Sequence, residues 1–381
     1  MEHLINDNVK NIEISGIRKF FNLVSGKSDI VSLTIGQPDF YTPEHVKEAG
    51  KLSIDQNHTT YTHNAGMLQL REAIAAYVNE KYDLNYNPNH EVIATVGASQ
   101  AIDITFRTIL SPDDEVILPG PVYPGYEPLI QLAGAKPVIA DTRTNDFKLT
   151  ADVLERYITN QTKCIVLPYP SNPTGVSLTK DELQEIAELI KGKSIFLLAD
   201  EIYAELTYEK PHYSIGRFTE IRDQMIIIQG LSKSHSMTGW RIGYVLASEK
   251  IAKHLLKVHQ YNVSCPTSIS QYAALEALTE GKSDADPMRQ EYKKRRDYVY
   301  QELQKMGLDT VLPDGAFYLF PKFPIREGSS FELGLDLVNK AGLALVPGDA
   351  FSPLGEGYMR ISYAYDMETL KEGMKRLRDY L

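Results

Sequence analysis

The chain has 381 residues, 43% of them hydrophobic, which is enough for two lobes or for one large α/β domain with an appendage. A formal net charge of -10, with no block of Lys or Arg, argues against nucleic acid or an anionic membrane as the main partner, although a local basic pocket would still hold a small anion. Cys164 and Cys265 are the only cysteines and sit in no metal-binding or thiol-nucleophile motif, so both read as packing residues and no metal site is expected.

Met1 to Lys10 lacks the apolar core of a signal peptide, and no apolar run reaches transmembrane length, so a soluble cytoplasmic protein is expected. From Glu91 to Ala247, short Val/Ile/Leu runs alternate with amphipathic helical stretches. That pattern predicts a mostly parallel, seven-stranded sheet covered by helices. The predicted strands are Val92 to Val96, Glu115 to Leu118, Lys136 to Ala140, Lys163 to Leu167, Ser194 to Ala199, Met225 to Gln229 and Ile242 to Ala247. A charged stretch from Asp286 to Met306, with apolar Tyr292, Val299 and Leu303, has the length of a connecting helix. Beyond it, short strands (Phe317 to Phe320, Tyr358 to Ser362) and a closing helix (Met367 to Leu381) suggest a smaller α+β domain. The expected division is a large domain over 45–285 and a small one built from 1–44 and 286–381.

In an open α/β sheet, ligands sit at the carboxyl ends of the strands. Gly97-Ala98-Ser99-Gln100 follows the first strand and opens a helix through Ile109, a ready anion site. Tyr123, in Pro-Val-Tyr-Pro, suits stacking on a flat ligand and equally suits packing in a loop. Asn172, in Asn-Pro-Thr-Gly, is by default a turn residue, but its amide stands where it could donate to a ligand oxygen. Asp200 ends an apolar strand and reads equally as a ligand-facing carboxylate or as the cap of a following helix, with Tyr203 one turn beyond.

Lys233 decides between these readings. It lies among small residues between two apolar strands, where desolvation would lower its pKa toward the range of a nucleophilic amine. A reactive lysine, an aspartate at a neighbouring strand end and Arg241 are the parts that pyridoxal phosphate needs: an amine for its aldehyde, a carboxylate for its ring nitrogen and a forked cation for its phosphate. Arg360 alternates with apolar residues on a short strand, and periodicity alone would place it outward.

With these residues assembled, the sequence closely resembles the class I and II aminotransferases of the fold type I pyridoxal phosphate family. The resemblance rests on Ser-Lys-(five residues)-Gly-Trp-Arg-Ile-Gly around Lys233, Asn-Pro-Thr-Gly at Asn172, Ala-Asp-Glu-Ile-Tyr at Asp200 and Arg-Ile-Ser at Arg360. It implies that Lys233 is the catalytic lysine bonded to the cofactor, that Asp200 pairs with the ring nitrogen, and that Asn172 and Tyr203 bind the ring oxygen. It further implies that Arg241, Ala98, Ser99 and Ser232 hold the phosphate, that Tyr123 stacks on the ring, and that Arg360 with the backbone of Gly36 binds the substrate α-carboxylate. Some relatives carry a hydroxyl residue three before the lysine, where this chain has Gly230, which leaves the part of Ser232 open. Tyr61 resembles the tyrosine that reaches the partner subunit's phosphate, which implies a homodimer with shared sites.

The implied substrates are an amino acid and a 2-oxo acid, 2-oxoglutarate foremost. The chain looks most like the bacterial branch containing N-acetyl-diaminopimelate, aromatic and aspartate aminotransferases, so N-acetyl-LL-diaminopimelate transamination in lysine biosynthesis is the leading expectation. A carbon-sulfur β-lyase on the same fold is the alternative chemistry. A cofactor-sensing transcription regulator would need a DNA-binding module that is not visible here. The substrate side-chain pocket is expected to draw on Ile14, Ile17 and Arg18 of the N-terminal segment, on small-domain residues and on loops of the other subunit, with Arg18 reading equally as a partner for a distal carboxylate and as a helix-surface charge.

Overall fold

A computed structural model describes residues 1–24, 29–324 and 328–381. The central sheet has seven strands, β2 (Val92–Thr95), β3 (Glu115–Gly120), β4 (Lys136–Asp141), β5 (Thr162–Leu167), β6 (Phe196–Asp200), β7 (Met225–Gly230) and β8 (Gly243–Ala247), after a short β1 (Val31–Ser32) that lies outside it. The spatial order is β2-β8-β7-β6-β5-β3-β4. Only β8 runs against its neighbours, pairing antiparallel with both β2 and β7. Each predicted strand is present, with ends displaced by one or two residues.

The near-continuous Val/Ile/Leu runs exist because both sheet faces are covered. Along β7, Met225 and Ile227 enter one apolar cluster, while Ile226 and Ile228 enter the cluster on the opposite face. Cys164 is buried in the second of these, and burial pushes its thiol up to about 12, so it packs as an inert small hydrophobe.

The helix Ala285–Lys305 buries Tyr292, Val299 and Leu303 as its spacing predicts. These three share an apolar cluster with Leu33, Phe317, Tyr318 and Ile361. Three short strands, β9 (Tyr318–Leu319), β11 (Val346–Pro347) and β12 (Met359–Ser362), form an antiparallel sheet with β12 in the middle. Between them in sequence, β10 (Leu343–Ala344) pairs in parallel with β1, which ties the N-terminal segment to the C-terminal part.

Candidate active site

Six strands of the central sheet point the same way, so their carboxyl ends share one edge. Five of them deliver a predicted residue there: Ala98 and Ser99 after β2, Tyr123 after β3, Asn172 after β5, Asp200 at the end of β6, and Ser232 with Lys233 after β7. Because β8 runs in reverse, Arg241 just before its start arrives at that same edge. Arg360 comes from the middle strand β12 and Gly36 from the segment after β1. All of these residues line one cavity of about 430 Å³, within the usual range for a cofactor-sized ligand.

Lys233 Nζ lies beside Arg241, Arg360 and Asp200. Burial, reinforced by the two guanidinium groups and opposed by the carboxylate, brings its pKa down to about 8. The amine donates to the Gly36 carbonyl at 2.6 Å. Asp200, 6% exposed, accepts from Tyr126 Oη at 2.6 Å and from the Ile202 N–H at 3.2 Å. Burial pushes its carboxyl above the ordinary value, while these two donors pull it back down. No helix follows Asp200; residues 202–205 form turns, so the helix-cap alternative does not hold and Tyr203 arrives through a turn.

Arg360 is 2% exposed and faces inward, the opposite of what strand alternation alone predicts, because β12 is the middle strand of a covered sheet. Its guanidinium lies over Tyr318 at 4.4 Å, donates Nη1 to Asn172 Oδ1 at 2.9 Å and Nη2 to the Thr34 carbonyl at 2.6 Å. Nε has no partner in spite of its burial. Tyr203 Oη and Tyr318 Oη are 2.9 Å apart, and the Tyr123 ring stands edge-on to Tyr126 at 5.7 Å. Asn172 lies in a turn as its sequence suggests and still lines the cavity.

The cavity suits an anionic, aldehyde-bearing aromatic cofactor. The helix Gly97–Ile109 has no side-chain cap on its first turn, which leaves backbone donors for a phosphate. Gly97 beside it has φ +73°, a conformation that L side chains rarely adopt, and a Cβ there would stand 2.5 Å from Arg241 Nη2 and displace that guanidinium. Among the described residues, the cavity's charged groups are Lys233, Arg241, Arg360 and Asp200, so it has an excess of cations for a phosphate and a carboxylate.

Three of the expected residues, Ile14, Arg18 and Tyr61, do not line this chain's own cavity. Ile17 lines the cavity, but Ile14 and Arg18 do not: Ile14 precedes the helix Gly16–Val24, and Arg18 falls on that helix's exposed side. Tyr61 is 87% exposed and does not line its own chain's cavity. Thr34, Tyr126 and Tyr318 were not anticipated. Tyr126 carried a weak signal, three residues after Tyr123 at the start of a helix.

The sequence pattern described as aminotransferase class I and II matches residues 28–377. Over 377 residues the chain is 62% identical to a probable N-acetyl-LL-diaminopimelate aminotransferase of Bacillus subtilis (strain 168), covering 99% of this chain and 95% of that protein. It is 40% identical over 381 residues to aromatic-amino-acid aminotransferase 2 of Thermococcus litoralis, covering 99% and 98% of the two. Among solved structures, aspartate aminotransferase from Thermus thermophilus with maleate superposes with a TM-score of 0.94 at 34% identity, over 99% of each chain.

Proposed function

The chain belongs to the class I and II aminotransferases, and we propose that it works with pyridoxal phosphate to move the α-amino group of N-acetyl-LL-diaminopimelate to a 2-oxo acid such as 2-oxoglutarate. That it is an enzyme of amino-group transfer follows from the family and its relatives. The observation that carries the cofactor reading is the convergence of Lys233, Asp200, Asn172, Arg241 and Arg360 on one cavity. Pyridoxal phosphate, when bound, supplies an aldehyde that condenses with amines and a protonated ring that draws electrons from the substrate α-carbon.

In this reading, Arg241 and the Ala98 and Ser99 backbone hold the phosphate, with Ser232 beside them, and Asn172 and Tyr203 hold the ring oxygen. Asp200 keeps the ring nitrogen protonated, and Tyr123 covers the ring face. Arg360 and Gly36 fix the substrate α-carboxylate. Lys233 Nζ, with a pKa near 8, takes the α-proton as general base and returns it on the other side of the transfer. The 45–285 part forms the large lobe, with 1–44 and 286–381 as the smaller one. A homodimer is supported by Tyr61, exposed and available to a neighbouring chain's phosphate. No helix among the described residues is long and apolar enough to cross a membrane. A cytoplasmic location and a place in lysine biosynthesis accompany the proposed substrate.

The substrate choice is supported by the 62% identity to the Bacillus subtilis protein. It also agrees with the cavity lining, where Ile17 and Ile35 offer apolar surface to a chain of methylenes. The test is a panel of amino acids mixed with the holoenzyme, following the absorption band of the bound cofactor. N-acetyl-LL-diaminopimelate should convert it fastest, and steady-state rates with a 2-oxo acid should give parallel lines. A faster response to aromatic amino acids or to aspartate overturns the substrate; intersecting lines, or pyruvate and ammonia without an oxo acid, overturn the transfer mechanism.

A further inference from the structure

Residues 33–42 form a strap that bonds to Lys233 and Arg360. Its first end is stitched to short strands: the Leu33 N–H donates to the Ala344 carbonyl at 2.9 Å, and the Leu33 carbonyl accepts from the Ser362 N–H at 2.9 Å. The next three residues face the cavity. The Thr34 carbonyl accepts from Arg360, the Ile35 N–H donates to Tyr365 Oη at 3.1 Å, and the Gly36 carbonyl accepts from Lys233. Ile35 and Gly36 are both exposed, so burial does not fix them.

The far end is held by charge. Arg295 Nη1 donates to both Asp39 oxygens, at 2.9 and 2.8 Å, and Tyr292 Oη donates to Asp39 Oδ1 at 3.0 Å. Tyr292 Oη also accepts from the Asp39 N–H at 3.3 Å. The Arg295 side chain is buried, and the Phe40 ring stands edge-on to Tyr292 at 5.5 Å. Beyond it, Thr42 Oγ1 donates to the Ser236 carbonyl at 2.8 Å and accepts from Trp240 Nε1 at 3.1 Å, next to the segment that carries Lys233 and Arg241.

We infer that Asp39, Arg295 and Tyr292 are positioning residues for substrate carboxylate binding. They fix Pro38 to Phe40 on the long helix Ala285–Lys305 and thereby set where Gly36 lies relative to Lys233 and Arg360. An apolar contact would allow the strap to slide, whereas charge-assisted hydrogen bonds fix both distance and direction. A displacement of about 1 Å at a reacting group lowers the rate by up to about a hundredfold. The inference rests on reading Gly36 and Arg360 as the carboxylate end of the site.

The experiment compares holoenzyme variants Asp39→Ala, Arg295→Met, Asp39→Asn and, as a control, Arg360→Lys. Asp39→Ala and Arg295→Met should raise KM for the amino acid and for the oxo acid by the same factor, about tenfold, because both substrates share the α-carboxylate. Asp39→Asn, which keeps an acceptor for Tyr292 and Arg295, should restore most of the loss. Amide hydrogen exchange of 33–37 in the cofactor-free protein should quicken in Asp39→Ala and Arg295→Met, with no change over 225–230. Unchanged KM and exchange together with a lowered melting temperature would make the pair merely structural and overturn the inference; so would a rise in only one of the two KM values. If Asp39→Ala does not fold, Asp39→Asn and Arg295→Met carry the same comparison. Unchanged KM in Arg360→Lys would instead refute the carboxylate reading itself.

Discussion

Replacing Tyr126 by Phe removes one hydroxyl from Asp200 and keeps the aromatic ring beside Tyr123. In the structure that hydroxyl donates to Asp200 Oδ2 at 2.6 Å, with both residues buried. A hydrogen bond to a charged group contributes about 1.5–3 kcal/mol, and one pKa unit corresponds to about 1.4 kcal/mol. Asp200 should therefore titrate about one to two units higher in Tyr126→Phe. Under the proposed mechanism Asp200 acts ionised, so the acidic limb of log kcat/KM against pH should move up by that amount while the plateau above it keeps its height. The cofactor-free protein adds a second reading. Burial already raises Asp200 in the folded state, so its contribution to stability is fully present at low pH and is lost as pH rises through the folded pKa. Without Tyr126 that loss is larger, so the variant should melt furthest below wild type near pH 7 and recover toward pH 4. An acidic limb that stays where it was would refute the coupling of Tyr126 to Asp200.

Lys233 has a lowered pKa of about 8, so the neutral amine is scarce well below that pH. Covalent uptake of pyridoxal phosphate by the cofactor-free protein, read from its absorption, should quicken with pH and level off above about 8, and a rate that is flat from pH 6 to 9 would contradict the proposed environment. Gly97→Ala places a Cβ 2.5 Å from Arg241 Nη2 at a φ of +73°. The left-handed backbone alone costs about 1–2 kcal/mol. Equilibrium dialysis should show pyridoxal phosphate held at least tenfold more weakly, whereas unaltered affinity would remove Arg241 from the phosphate.

The central sheet was legible because buried strands covered on both faces must be apolar at nearly every position, as in Met225 to Ile228, and such runs stand out without any partner. Lys233, Asp200 and Asn172 were legible for a related reason: each lies within a few residues of a strand end, so local order already places it at the ligand edge. Arg360 was legible only through the resemblance, because alternation reports which residues share a face and not whether that face is covered. Tyr126 with Asp200, and Asp39 with Arg295, join positions 74 and 256 residues apart. Nothing in the local pattern of either partner names the other; only the tertiary fold brings them together. Ile17 and Arg18 differ for a simpler reason, since neighbours on a helix point about 100° apart and only one of them faces the cavity.

The hydrogen bond from Arg360 Nη1 to Asn172 Oδ1 has a consequence for anyone seeking to change what this enzyme accepts. Ile17, Ile35 and Gln37 line the cavity without bonding to Lys233, Asp200, Asn172, Arg241 or Arg360, so they form a region where sequence can drift while the chemistry stays intact. Arg360 and Asn172 do not have that freedom. A library that relaxes the guanidinium to admit amines lacking a carboxylate also releases the amide, and with it the proposed grip on the cofactor's ring oxygen. The two positions should therefore be varied as a pair, with Asn172 re-optimised for each replacement of Arg360.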